Sequence, residues 1–168
     1  MKISMYQASV PVFVQYLSAL SEILKKAAEH CAARKIEPSI LVNARLSPDM
    51  FALARQVQIA TDHAKGAAAR LSGSEVPSFP DTETTFEELQ ARIAKTLDYI
   101  KTFKPEQIDG SDEKAISLKA GPQVLSFKGT EYLTGFALPN FFFHTTTAYA
   151  ILRHSGVEIG KRDFLGMK

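Results

Sequence analysis

Tyr6-Gln-Ala-Ser-Val10-Pro-Val-Phe13-Val-Gln-Tyr-Leu17-Ser-Ala-Leu20-Ser-Glu-Ile-Leu24 is the stretch that decides the fold. Its positions Tyr6, Val10, Phe13, Leu17, Leu20 and Leu24 recur at steps of four, three, four, three and four. That is the spacing of one buried helical stripe, and it runs on through an alanine-rich end near Ala32. Pro11 lacks an amide donor, so it bends the first turns or marks where regular hydrogen bonding begins. A helix of about 25 residues is about 40 Å long, the scale of a bundle helix.

Further helices follow the same logic. A loop around Arg34 to Leu46 leads to Ser47-Pro48, which reads as an N-cap with proline at the first helical position. The second helix then runs to about Leu71, with Leu53, Val57, Ala60, Ala64, Ala67 and Leu71 on one side. Its alanines permit close approach of a neighbour. Ser72-Gly-Ser74 closes it, and a connecting loop holding Pro77 and Pro80 reaches Thr84. Thr84 and Thr85 precede Glu87 and Glu88 and offer a capping box. The third helix carries Phe86, Leu89, Ile93, Leu97, Ile100 and Phe103, ends at Lys104-Pro105, and gives way to a short turn. Ile116 to Lys119 and Val124 to Lys128 partly alternate apolar and polar around Gly121-Pro122, which predicts a β-hairpin. The last helix starts near Pro139 and stops at Gly156, a residue suited to a left-handed ending. The expected architecture is all-α: a single domain over residues 1–168, a four-helix bundle with a small β-hairpin inserted before the last helix and a packed tail.

The bulk numbers bound the classes of function. The chain has 168 residues, 45% of them hydrophobic, with 20 basic and 18 acidic side chains dispersed along it. No basic stripe points to nucleic acid. Apolar stretches are interrupted well before about 18 positions, so no membrane span is expected. The amino terminus lacks the pattern of a signal peptide, and Cys31 is the single cysteine, which together predict a reducing, cytoplasmic setting.

His144 is the leading site candidate. On the last helix it shares a face with Phe141, Ala148, Ile151 and Leu152, so it points inward and needs a polar partner or a metal ion. His63, on the second helix, is the other candidate, and the two are expected to line a pocket with Asn140. No His-Glu-x-x-His or helical His-x-x-x-His is present. The position four before His144 is Asn140, whose amide offers only a carbonyl oxygen, a weak zinc ligand acceptable to harder ions. Asp62 could assist as a ligand or an orienter, although adjacent helical residues diverge by about 100°. His30 and His154 fall near helix C-termini, where an imidazole interacts well with terminal carbonyls. Cys31 stands in no recognisable nucleophile context and reads as a packing residue. Glycine-rich phosphate loops are absent from the sequence. Phe141, Phe142 and Phe143 cannot all face one core: either one side meets a partner subunit in a homodimer, or the hairpin and tail bury all three.

The segments Met5-Tyr-Gln-Ala-Ser-Val-Pro11, Gln58-Ile-Ala-Thr-Asp62-His63-Ala-Lys65, His144 to Gly156 and Gly160-Lys-Arg-Asp163-Phe164 carry a resemblance across nearly the whole chain. In their order and spacing the chain resembles the DinB-like (YfiT-like) superfamily of four-helix bundles, within a domain-of-unknown-function branch. The resemblance implies a divalent metal, often zinc or nickel, held by one histidine of the second helix and a His-x-x-x-His of the fourth. His63 matches the first ligand and His144 the last, while Asn140 stands where the third histidine belongs. Relatives with the full triad include thiol-dependent transferases and isomerases. Two expectations follow. One is a metal-free bundle with a degenerate or absent metal site and a pocket for a small ligand or a protein partner. The other is a divalent-metal-dependent enzyme, transferase- or isomerase-like or hydrolytic, that uses His63 and His144.

Overall fold

A computed structural model describes residues 3–167 of the chain. In chain order the elements are α1 (Val10–Arg34), α2 (Pro38–Val42), α3 (Leu53–Ser72), α4 (Phe86–Ile100), α5 (Pro105–Ile108), the strands β1 (Ala115–Ala120) and β2 (Gln123–Lys128), then α6 (Gly129–Tyr132), a π-helical turn (Leu133–Ala137), α7 (Leu138–His154) and α8 (Lys161–Leu165). The fold is mostly helical, with one small antiparallel hairpin ahead of the helical run that ends at His154. The predicted first, second, third and fourth helices correspond to α1, α3, α4 and α7.

Of the six stripe positions, Tyr6 lies in a turn ahead of α1 and is only partly buried. The other five, Val10, Phe13, Leu17, Leu20 and Leu24, are nearly inaccessible, as the spacing requires. They meet α4 and α7, and α3 in turn packs against α4 and α7. Ala60, Ala64, Ala67 and Ala68 are fully buried on α3, so its backbone can lie close to both neighbours. The capping box is made by Thr85, whose Oγ1 accepts from the Glu88 amide at 3.2 Å while the Glu88 carboxylate accepts from the Thr85 amide at 3.1 Å. Gly156, at φ 88°, takes the left-handed conformation just beyond α7 that a side chain would strain.

Several boundaries differ from expectation. Ser47 does not cap a helix: its hydroxyl donates to the Asp49 carboxylate at 2.5 Å, within a turn closed by Met50. The helix begins instead at Leu53, whose amide donates to the Ala44 carbonyl at 2.9 Å. That contact lies outside the helix and is invisible to local capping rules. The preceding loop holds the short α2. The third helix stops at Ile100, and Pro105 opens α5 rather than a plain turn. The last helix starts near Pro139 as expected, but it continues directly from the π turn. Pro139 has no amide to donate and its ring crowds the carbonyl one turn back, and a widened turn there relieves both problems. Phe143 is 57% exposed, so the hairpin and tail do not bury all three phenylalanines. Phe141 packs edge-on to Phe13, and Phe142 edge-on to Tyr16, which also meets Phe164 of α8.

The connection between α3 and α4 is fastened by charge. Arg92 of α4, with a side chain 1% exposed, donates to Thr61 Oγ1 at 2.7 Å and the Pro80 carbonyl at 2.9 Å, and it pairs with Asp62, Asp81 and Glu83. Phe79 of that loop lies under both ammonium groups of Lys65 and Lys95, 4.2 and 4.1 Å from its centroid. Arg92→Ala leaves these acceptors without their donor. The unfolding free energy from urea denaturation should fall by about 3 kcal/mol, the low end for a broken buried ion pair, because Asp62 and Asp81 keep some access to water.

Candidate functional site

The close approach of α3 and α7 brings His63 and His144 together. Their rings are nearly parallel, at 14°, with centroids 6.0 Å apart. His144 sits on the inward face of α7 with buried Phe141, Ala148, Ile151 and Leu152, and His63 is partly buried on α3.

A third side chain, Gln56, fixes the state of His144. Gln56 lies seven residues before His63, two helical turns along the same face of α3, and is 1% exposed. Its amide nitrogen donates to the Phe51 carbonyl at 3.0 Å. That bond leaves the carbonyl oxygen facing His144, at 2.7 Å from Nδ1. An amide oxygen can only accept, so His144 carries its proton on Nδ1 and presents Nε2 as a lone pair. The loop that replaces the expected N-cap thus has a chemical consequence, since it supplies the carbonyl that orients Gln56.

Both imidazoles are uncharged near neutral pH. Burial pushes His63 down from 6.5 to about 4; a charge on His144 and the Arg70 guanidinium act in the same direction, and Asp62 opposes them. His144 is likewise pushed down to about 4 by burial and by the Arg55 guanidinium. The surroundings are aromatic. Phe136, from the π turn, meets the His63 ring at 5.7 Å, and Phe143 stands edge-on to His144 at 5.1 Å. Phe51 is 56% exposed and has the Arg55 guanidinium 5.8 Å above its ring.

The other candidates go elsewhere. Asn140 is half-buried one turn before His144, and its amide nitrogen donates to the Phe136 carbonyl at 2.7 Å. Asp62 turns toward α4, and its Oδ1 accepts from Lys65 of its own helix at 2.6 Å and from Arg92 of α4 at 2.9 Å. His30 is one turn inside α1, and His154 is the exposed last residue of α7. Cys31 is buried, and burial, with a smaller contribution from Glu37, raises its thiol.

As a metal centre the donor set is short. Among the described residues no three His, Cys, Asp or Glu side chains are placed to hold a metal ion together. His63 and His144 supply two nitrogen donors where a catalytic zinc takes three protein ligands, and further oxygens could come only from amides such as Asn140. Gln56, which the sequence reading passed over, stands seven before His63 on its helix face; that spacing was the available signal.

Residues 5–165 match the family described as Domain of unknown function (DUF1993). The chain belongs to that family. It is also similar, at 40% identity, to a solved DinB family member protein from Shewanella denitrificans, with a TM-score of 0.87 over 97% of this chain and 92% of that one. The DinB-like fold is therefore established. Among curated proteins none matches.

Histidines that are neutral when folded titrate near 6.5 when unfolded, so between those values the unfolded state holds more protons. Stability is expected to be full above about pH 6.5 and to fall as pH drops toward about 4. Urea midpoints measured across that interval should show the fall, and the double variant His63→Gln, His144→Gln should flatten it.

Proposed function

We propose that the chain is a four-helix-bundle protein, of α1, α3, α4 and α7, that binds a small ligand between α3 and α7 at a site lined by His63, Asn140 and His144. One observation carries this reading: two imidazoles, His144 buried and His63 partly buried, lie face to face, the first held by Gln56 with Nε2 free to accept. Neutral acceptors of this kind suit a ligand that offers hydroxyl, amide or thiol donors. The exposed rings of Phe51 and Phe143 suit an apolar portion. Asn140 adds an amide carbonyl one turn before His144. The metal site is degenerate in this reading.

A second reading is favoured by Gln56 itself. Histidines that ligate metals commonly hand their other ring N–H to an outer acceptor that fixes the tautomer, as Gln56 does here. His63 and His144 would then hold zinc or nickel, with an amide oxygen of Asn140 assisting. A metal bound there would polarise a thiol, water or carbonyl, for thiol-dependent transfer, isomerisation or hydrolysis. A homodimer and a cytoplasmic setting belong with these proposals: a second copy could cover Phe143, and the buried Cys31 suits a reducing compartment.

Elemental analysis of untagged protein, paired with melting in the presence and absence of a chelator, separates the two. The first reading expects metal well below stoichiometric amounts and a melting temperature indifferent to chelator. Stoichiometric metal, lost in both His63→Ala and His144→Ala, with a fall of several degrees on chelation, would replace it with the second. For the first reading, a thermal-shift screen of small acids, thiols and nucleosides should give hits that stabilise the native chain and not His144→Ala.

A further inference from the structure

Arg70 is the cation that this site leaves without an acid. It lies seven residues after His63 on the same face of α3, in the last turns of that helix. Its side chain does not reach outward. The guanidinium folds back over Gly66: a Cβ built at Gly66 would lie 2.4 Å from Arg70 Nη1. The glycine therefore provides the space that the guanidinium fills, on the side of the helix that leads to His63. Nη1 donates to the hydroxyl of Tyr132 at 3.2 Å, and the guanidinium carbon lies 5.9 Å from that ring's centroid. Tyr132 is 1% exposed and packs against both Phe127 and Phe136, the latter in contact with His63. Among the described residues Arg70 pairs with no carboxylate, while Arg55 is taken by Asp81 and Arg92 by three acids.

A half-buried guanidinium with one neutral acceptor keeps most of its donors unused and its charge uncompensated. The ligand that answers both is an oxyanion, which a guanidinium binds in bidentate fashion. The position fits. His63 and Arg70 are about 10 Å apart along the helix axis, and the fold-back brings the charge about one turn nearer, leaving about 5 Å. The imidazoles are neutral, so no second cation competes for the anion at that distance. We propose that Arg70, propped by Tyr132 and accommodated by Gly66, is the anchor for a carboxylate or phosphate of the small molecule whose other end meets His63 and His144. This rests on the ligand-binding reading above and names the charge class of that ligand.

The test uses inorganic phosphate and acetate as probes, titrated at constant ionic strength against the intact chain. Arg70 Nε–H and the imidazole signals of His63 and His144 are followed by NMR. Saturable shifts at Arg70 and His63 are expected, with at least one of the two anions. Arg70→Gln should weaken the binding about tenfold or more, the size of a lost charge-assisted contact. Gly66→Ala is the control that keeps the charge and the helix: its methyl displaces the guanidinium, and it should weaken binding while leaving the melting temperature at or above that of the parent. Phosphate alone, acetate alone or both binding in this pattern would tell the two anion classes apart and each supports the anchor. Equal, non-saturating shifts in the parent chain and both variants would overturn it. Saturable binding at Arg70 with His63 and His144 unmoved would overturn the shared site, including the ligand-binding reading. Screen hits that move both imidazoles yet bind Arg70→Gln unchanged would overturn the anchor alone.

Discussion

The close seating of α3 against α7 is the constraint on which the rest depends. It is possible because the buried alanines of α3, Ala60, Ala64, Ala67 and Ala68, let its backbone approach its neighbours without interlocking large side chains. Polar groups carried into such a contact lose their water and must find partners inside. Gln56, His63 and His144 are those groups. Their geometry follows from that demand: Phe51 satisfies Gln56, and Gln56 satisfies His144. Burial also holds the imidazoles uncharged, because an ionised ring would be costly there.

The charged groups around this contact divide by role. Arg92 draws the loop before α4 onto α3 and collects the acids nearby, Asp62 included. Asp62 thereby spends its hydrogen bonds on Lys65 and Arg92 rather than on His63, its neighbour in sequence. The periphery of the imidazole pair is left with guanidinium groups and aromatic rings. That balance is what the proposal of an oxyanion ligand builds on.

Legibility in the sequence tracked the range of the interaction. The stripe of α1, the Thr85 capping box, the hairpin and the Gly156 ending are local patterns, and each stands where its spacing put it. His144 could be oriented from its helix face alone. The start of α3 could not be read, because Ser47 gives its hydroxyl to Asp49 and the true start is tied to Ala44 across the loop. Gln56 and His144 are 88 positions apart, and Arg70 meets Tyr132 across 62, so no periodicity within one element announces either contact. The site was legible as two histidines and one suspect asparagine; its orienting amide and its neighbouring charge belong to the tertiary fold.

The π turn at Leu133–Ala137 has a consequence for rotational phase. Tyr132 and His144 are twelve positions apart along one continuous helical run, and both face α3. On an unbroken α-helix, steps of about 100° would leave them about 120° out of phase, one facing α3 and the other turned aside. A π turn absorbs one extra residue, which brings the two within about 20° of each other. The turn is thus a phase shifter that aligns the aromatic end of the run with its histidine. Closing the turn to plain α-helix without deleting a residue would rotate His144 out of the contact, whereas deleting a single residue from it would restore regular α-helix and keep the two side chains in phase.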